Sequence, residues 1–217
     1  MITSIKFSKR SLDKISEKTE LPDFCGSSWA DEDIDFIRKE IKDYYIKEQS
    51  HTCVYCKQVF KSNNGRAWDI EHIISREAVH EFMFEPENLC VSCLDCNKRK
   101  GVGKVTKSKA RKKMPSKAND YFIVHPHFDN YEHHIEAVKP GEFYFSKSAK
   151  GEFTISLCGL NRFYEFAGYD PAVAADDLIL QYSDLLSKTQ DHDKRKYLLR
   201  QISALALKEL LVADEND

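Results

Sequence analysis

Two C-x-x-C pairs constrain this chain more than any other feature of its sequence. They read CVYC at residues 53–56 and CLDC at residues 93–96. In a reducing compartment such pairs predict metal ligands before disulfides, and four thiolates suit a tetrahedral zinc ion. Because four cysteines leave no open coordination position, the predicted zinc is structural rather than catalytic. The predicted ligands are Cys53, Cys56, Cys93 and Cys96.

One alternative stays open at the second pair. Cys90 and Cys93 also form a C-x-x-C unit, so Cys90 could replace Cys96 as a ligand. We favour Cys93 and Cys96 because they complete two separate knuckles. Cysteines outside the ligand set, among them Cys25 and Cys158, are interpreted as buried small apolar residues.

The composition is that of a globular protein. The chain has 217 residues, of which 41% are apolar, so it can form a packed core. No apolar run approaches the roughly 20 residues of a membrane span, and the first residues lack a signal-peptide pattern. We therefore expect a cytoplasmic protein.

The chain contains a strip of basic residues, although its net charge is only −2. Residues 98–113 contain nine lysines or arginines and no acid, whereas the chain as a whole is slightly acidic. A basic strip beside a metal knuckle predicts contacts with nucleic-acid phosphates. The residues expected to make these contacts are Lys98, Arg99, Lys100 and Lys104.

Apolar periodicity and turn residues divide the chain into three regions. Residues 1–50 form an arm and a helix over 31–49, residues 51–117 hold the metal-capable side chains, and residues 118–217 contain a hairpin followed by helices. The hairpin is expected from two Gly-bounded strands, 141–145 and 151–155, around a polar turn. One helix is expected from Pro171 to about Lys188, with Asp170 as its cap, and another from about His192 to Val212.

The segment between the cysteine pairs carries the candidate chemistry. Residues 68–74 alternate between polar and apolar types, which predicts a short strand containing the acid–histidine pair Glu71-His72. Asn88 precedes the second cysteine pair, and Asn97 follows it directly.

These elements, taken in order, resemble the HNH endonuclease family. The resemblance covers roughly residues 53–101 and consists of C-x-x-C, an acid before histidine, Asn-Leu, C-x-x-C-Asn and a nearby lysine. It implies an α+β fold with a ββα-metal core, in which two strands and a helix surround one divalent cation. A structural zinc knuckle, an N-terminal helix and C-terminal helices with a small β-hairpin would flank that core.

The resemblance also implies roles for individual residues. His72 matches the general base, and a neutral imidazole with a pKa near 6.5 can accept a proton from water. Glu71 and Asn97 match the ligands of a catalytic Mg²⁺ or Mn²⁺ ion, for which oxygen donors are suited. Asn88 matches the residue that orients the histidine or supports its loop. Glu71 departs from the pattern, since aspartate is commoner there, and Asp69 on the same strand face is a possible auxiliary ligand.

The second half of the chain resembles, more loosely, HNH proteins of bacterial anti-phage systems such as Septu. The similarity lies in the HisPro-x-x-Asp segment 125–129 and in Leu160-Asn161-Arg162 before the helices. Septu-type systems pair the nuclease with an ATPase, so the resemblance implies an ATPase partner at the C-terminal helices.

Two further interpretations remain open at this stage. The histidines between His125 and His134 could hold a second metal, although we favour turn residues that pack on the core. The chain could also be a non-catalytic zinc-stabilised module that binds nucleic acid or a protein. The cysteines serve both a nuclease and such a module, whereas only a nuclease needs His72.

Overall fold

The structure, a computed structural model, describes residues 1–61, 67–109, 112–141, 143–162 and 171–214. None of the helices in these ranges is long and apolar enough to cross a membrane. The helices are α1 (Lys9–Thr19), α2 (Asp35–Glu48), α3 (Leu94–Lys100), α4 (Tyr131–His134), α5 (Ala149–Cys158), α6 (Pro171–Lys188) and α7 (His192–Asp214). The strands are β1 (Trp68–His72), β2 (Leu89–Cys93), β3 (Ile135–Lys139) and β4 (Phe143–Ser146).

The chain divides into two compact units, Met1–Asn161 and Arg162–Asp217. The first unit contains the cysteine pairs together with the segments that flank them. The second unit contains α6 and α7, which pack against each other. Both helices occur where the sequence predicts them, and Leu198 of α7 is fully buried. Asp170, the predicted cap of α6, lies outside the described residues.

Helix α2 places its apolar face in the core of the first unit. Ile37, Ile41 and Tyr45 recur at helical spacing and are fully buried. A short 3₁₀ turn, Glu32–Ile34, precedes the helix, so the helix predicted over 31–49 is confirmed with a slightly later start. Asp31 does not cap it with its side chain and instead forms an ion pair with Lys18 at 2.7 Å.

The two strands and one helix expected around the acid–histidine pair are present. Strand β1 pairs antiparallel with β2, and the register places Trp68 opposite Cys93 and His72 opposite Leu89. Helix α3 begins at Leu94, directly after β2. The fold class predicted from the sequence, α+β with a ββα core and a zinc knuckle, is therefore confirmed.

The hairpin occurs earlier in the chain than predicted. Strands β3 and β4 form it, and the predicted second strand, residues 151–155, lies within helix α5. The Ser148 side chain caps this helix by accepting a hydrogen bond from the Gly151 amide at 3.1 Å, and Gly159, with a φ of +53°, ends it. The alternating apolar residues suggested a strand, but the buried positions have helical spacing. These positions are Gly151, Thr154 and Cys158.

The cysteines outside the two pairs differ in their environment. Cys90 and Cys158 are fully buried, as predicted. Cys25 is exposed, which corrects the prediction for this residue. It precedes the 3₁₀ turn Gly26–Ala30, and its amide donates to the Ser28 hydroxyl at 3.1 Å. Its position is thus set by a turn rather than by core packing.

Gly151 should tolerate no larger residue. A Cβ atom at this position would lie 1.9 Å from the His134 carbonyl oxygen, a backbone atom that cannot move aside easily. We expect Gly151→Ala to lower the free energy of unfolding by about 1–3 kcal/mol, measured by urea denaturation. Ser156→Ala, on the exposed face of α5, is the matched control and should change stability little. Equal stability of the two variants would contradict this packing.

Candidate metal centre and active site

Four buried sulfur atoms come together between the first cysteine knuckle and the β2–α3 junction. The Sγ atoms of the four predicted ligands all lie within 4.8 Å of one another, and those of Cys56 and Cys93 are 3.8 Å apart. Sulfurs about 2.3 Å from a tetrahedral zinc would lie about 3.8 Å apart, so the cluster fits this ion. Hydrogen bonds from neighbouring thiols, that of Cys53 first, lower the pKa of Cys93 and favour the thiolate that a metal needs.

The structure separates Cys90 from this cluster. Cys90 and Cys93 are three residues apart on β2, so their side chains point to opposite faces of the strand. Cys90 lies opposite Glu71 in the register, whereas Cys96 joins the sulfurs from the first turn of α3. The four-sulfur group therefore includes Cys96 and excludes Cys90.

His72 is buried at the end of β1 with one ring nitrogen engaged. Its Nε2 atom lies 3.1 Å from the Met83 carbonyl oxygen, which can only accept a hydrogen bond. Nε2 must therefore carry the proton, which leaves the lone pair on Nδ1. The Trp29 ring meets the imidazole edge to face at 4.5 Å. Burial lowers the pKa of His72 to about 3, so the ring is neutral at physiological pH.

Asn88 holds the loop that carries the Met83 carbonyl. Its side chain accepts a hydrogen bond from the Ile74 amide at 2.7 Å and donates to the carbonyls of Ile74 and Phe82 at 3.0 and 2.9 Å. The residue is fully buried. Its carboxamide thus ties the segment after β1 to the turn before Met83, and this is the geometry that a residue supporting the histidine needs.

Glu71 is buried in an ion pair. Its Oε1 atom lies 2.6 Å from Lys100 Nζ, and the two side chains are only 2% and 1% exposed. The Tyr55 hydroxyl also donates to Oε1 at 3.1 Å. Burial raises the pKa of the Glu71 carboxyl more strongly than Lys100 lowers it. Lys100 further donates to the His72 carbonyl at 3.0 Å, so this pair joins the end of α3 to β1.

Asp69, rather than Glu71, is the acid in contact with Asn97. The Asn97 Nδ2 atom donates to Asp69 Oδ2 at 2.8 Å, and both side chains are partly exposed. The Asn97 carbonyl oxygen is the atom that could bind a cation, since the amide nitrogen cannot. Asp69 and Glu71 are two residues apart on β1, so their spacing in the sequence already indicated that both side chains lie on one face of the strand. The contacts with Asn97 and Lys100 show that this face meets α3.

The predicted phosphate-binding residues differ in exposure. Lys98, Arg99 and Lys104 are exposed, but Lys100 is held in the buried pair with Glu71. Arg99 also packs closely on Gly159, where an added Cβ would lie 2.3 Å from its Cδ atom. A phosphate contact by Lys100 would require the ion pair to open.

Two cavities meet beside these residues. The smaller, about 200 Å³, is bordered by His72, Glu71 and Asn97, and the larger, about 460 Å³, by Asp69, Asn97 and Trp29. Ile70, Arg76 and Asn97 line both cavities. The two cavities are therefore neighbours, with the Asp69–Asn97 pair at the larger one and the histidine at the smaller one.

His125 and His127 lie in or beside a turn that precedes α4. Within the described ranges, only the four-cysteine group brings together three or more side chains suited to a metal. Asp129 accepts a hydrogen bond from the His125 amide at 2.7 Å and pairs with Lys150 at 2.8 Å. The His125 ring stacks on Phe128 with centroids 4.1 Å apart. This arrangement supports the interpretation as turn residues.

Comparison with known proteins gives one match. Residues 53–103 match the family model described as HNH endonuclease. The search of curated proteins and the search of solved structures gave no match. The matched segment contains the cysteine cluster, β1, β2 and α3, so the chain carries an HNH domain. That domain supports nuclease activity in general and the binding of nucleic acid.

Removing a cluster cysteine should release the metal. Cys53→Ser leaves three thiolates, so we expect zinc content to fall well below one per chain and the melting temperature to drop. Cys90→Ser is the matched control because it changes a buried cysteine outside the cluster, and it should keep its zinc. Zinc content is measured by elemental analysis. Loss of zinc from Cys90→Ser, but not from Cys53→Ser, would contradict the assignment.

Removing one charge of the buried ion pair should destabilise the folded protein. Glu71→Gln leaves the Lys100 ammonium buried without its counter-charge, and we expect the free energy of unfolding to fall by about 3–5 kcal/mol. The double variant Glu71→Gln/Lys100→Met removes both charges and should recover most of this loss. Urea denaturation measures both variants. If Glu71→Gln proved as stable as the parent, the ion pair would be solvated and the prediction would be wrong.

Proposed function

We propose that this chain is a metal-dependent endonuclease that hydrolyses phosphodiester bonds in DNA. The observation that carries the proposal is the neutral His72, whose Nδ1 lone pair is available beside a cavity shared with Asn97. The HNH domain at residues 53–103 supports the same reaction class. The four-cysteine zinc site would be structural, because it has no open ligand position.

His72 is proposed as the general base. Nε2–H is held by the Met83 carbonyl, so the ring presents Nδ1 as the atom that takes the proton from an attacking water. Trp29 limits the rotation of the ring and covers one side of it. Asn88 acts as a positioning residue through the loop that carries Met83.

The cation is proposed to bind at Asp69 and Asn97. A carboxylate and a carboxamide oxygen suit Mg²⁺ or Mn²⁺, and the two side chains already meet at the lining of the 460 Å³ cavity. When bound, the ion would supply charge neutralisation at the phosphate and assistance to the leaving oxygen. Glu71, which the family pattern assigns to the ion, has its Oε1 atom paired with Lys100, so it would serve the ion through Oε2 or after that pair opens.

We also propose a biological role for the chain, namely anti-phage defence in the bacterial cytoplasm with an ATPase partner. It rests on the resemblance of the second half to Septu-type nucleases, and α6 and α7 would supply the docking helices. Cleavage that appears only after mixing with such an ATPase would support it. The alternative, a non-catalytic zinc module, requires neither His72 nor Asp69.

Removing the proposed base should abolish cleavage without unfolding the protein. Supercoiled plasmid is incubated with Mg²⁺ or Mn²⁺, and we expect His72→Ala to cut about 10²–10⁴-fold more slowly than the parent. His80→Ala, which changes an exposed histidine, is the matched control and should cut normally. Cleavage by His72→Ala at the parent's rate would remove His72 as the base, whereas no cleavage by the parent would favour the non-catalytic alternative.

Removing the proposed carboxylate ligand should raise the concentration of metal that cleavage requires. Asp69→Asn weakens a proposed ligand, so cleavage should require a several-fold higher concentration of Mg²⁺ or Mn²⁺ while stability stays near that of the parent. Glu81→Gln, at an exposed acid outside both cavities, should leave the metal requirement unchanged. An unchanged metal requirement for Asp69→Asn would remove Asp69 from the proposed ligand set.

A further inference from the structure

A basic face of α2 lies beside the proposed active site. Arg38, Lys39 and Lys42 line the 460 Å³ cavity whose other wall holds Asp69 and Asn97. These α2 residues precede the segment that matches the HNH model, so the HNH pattern assigns them no role.

Packing fixes the direction in which this face points. Ile37 and Ile41 of the same helix are fully buried in the core, so α2 cannot rotate. Lys39 and Lys42 are three positions apart, which places their side chains side by side about 5–6 Å apart at Cβ. The helix therefore presents two neighbouring ammonium groups along one wall of the cavity.

The charges of the lining suit an anionic ligand. Four basic residues and two acidic residues border this cavity, namely Arg38, Lys39, Lys42 and Arg76 against Asp43 and Asp69. Lys39 pairs with Asp43, but the two side chains are 76% and 61% exposed. Such exposed pairs contribute only about 0–1 kcal/mol, so a phosphate can take the place of Asp43.

Arg38 differs from the two lysines because its guanidinium group is engaged in contacts with the N-terminal arm. Its guanidinium donates to the carbonyls of Trp29 and Asp31 and forms an ion pair with Asp35. It thereby holds the arm that carries Trp29 over His72. Lys39 and Lys42 are the residues of this face that reach into the cavity from an exposed helix surface.

We propose that Lys39 and Lys42 of α2 bind backbone phosphates of duplex DNA next to the cleavage position. This inference rests on the proposed function, because the two lysines would hold the DNA that the nuclease cleaves. The cavity at the α2 face and the cavity at His72 share Ile70, Arg76 and Asn97 in their linings, so a DNA backbone lying on α2 would pass next to the proposed base. This surface is additional to the basic strip at residues 98–113.

The test measures DNA binding without cleavage. In the His72→Ala background, a labelled duplex of about 20 base pairs is titrated at several salt concentrations. Each lost phosphate contact should reduce the slope of log affinity against log salt by about 0.9, so Lys39→Glu/Lys42→Glu should lower it by about 1.8. We also expect at least a tenfold weaker affinity at about 0.15 M salt, where exposed charges beyond about 8 Å are screened.

A variant with the same change in charge is the control. Lys6→Glu/Lys47→Glu alters two exposed lysines that do not line the cavity, and it should bind DNA with the parent's salt slope. Melting temperature and zinc content must match the parent in both variants. If the two double variants weaken binding equally, the α2 face has no specific part in it and the proposal fails.

The result separates this proposal from the proposed function. Loss of binding in Lys39→Glu/Lys42→Glu would support the α2 surface even if the parent never cuts plasmid. Plasmid cleavage by the parent, together with undiminished DNA binding by the Lys39→Glu/Lys42→Glu variant, would overturn the α2 surface and keep the nuclease. A larger loss for RNA or single-stranded DNA of the same length than for the duplex would overturn the assignment to duplex DNA.

Discussion

The four-cysteine cluster joins two knuckles that are separated by 36 residues, and the ββα core extends from it. Cys93 is the last residue of β2 and lies opposite Trp68, the first residue of β1. Cys96 lies in the first turn of α3, so the same ligands fix the strand register and the start of the helix. Helix α3 has only seven residues, and an isolated helix of that length is not stable in water.

The far end of α3 is held by a second interaction, the buried pair of Lys100 with Glu71. Lys100 also binds the His72 carbonyl, so the helix is fixed at both ends against β1. Asn97 lies between these two fixed points and meets Asp69. The position of Asn97 is thus fixed by the four-cysteine cluster at one end of α3 and by the Lys100–Glu71 pair at the other. Glu71 contributes to this framework and also borders the cavity at His72.

The sequence predicted most accurately what depends on residues close together in the chain. The C-x-x-C knuckles and the strand before His72 follow from local spacing, and the helix that carries Asn97 follows from the resemblance to HNH endonucleases. Two features required the tertiary structure. The hairpin was predicted too late because Phe153 and Ile155 alternate like a strand, although Ser148 and Gly159 supply the two caps of a helix. The contact of Asn97 with Asp69 depends on where α3 crosses β1, which no local pattern specifies.

Residues outside the matched segment complete the site. Trp29 covers His72, and its backbone is held by Arg38 from α2, whereas the Gly26 carbonyl accepts a hydrogen bond from Arg76 at 3.0 Å. The arm over the histidine is therefore fixed at two points. Because burial is the largest cause of the lowered pKa of His72, this covering keeps the ring neutral as well as oriented. An HNH segment taken alone would lack these covering residues, so the N-terminal arm and α2 belong to the proposed active site as much as to the core.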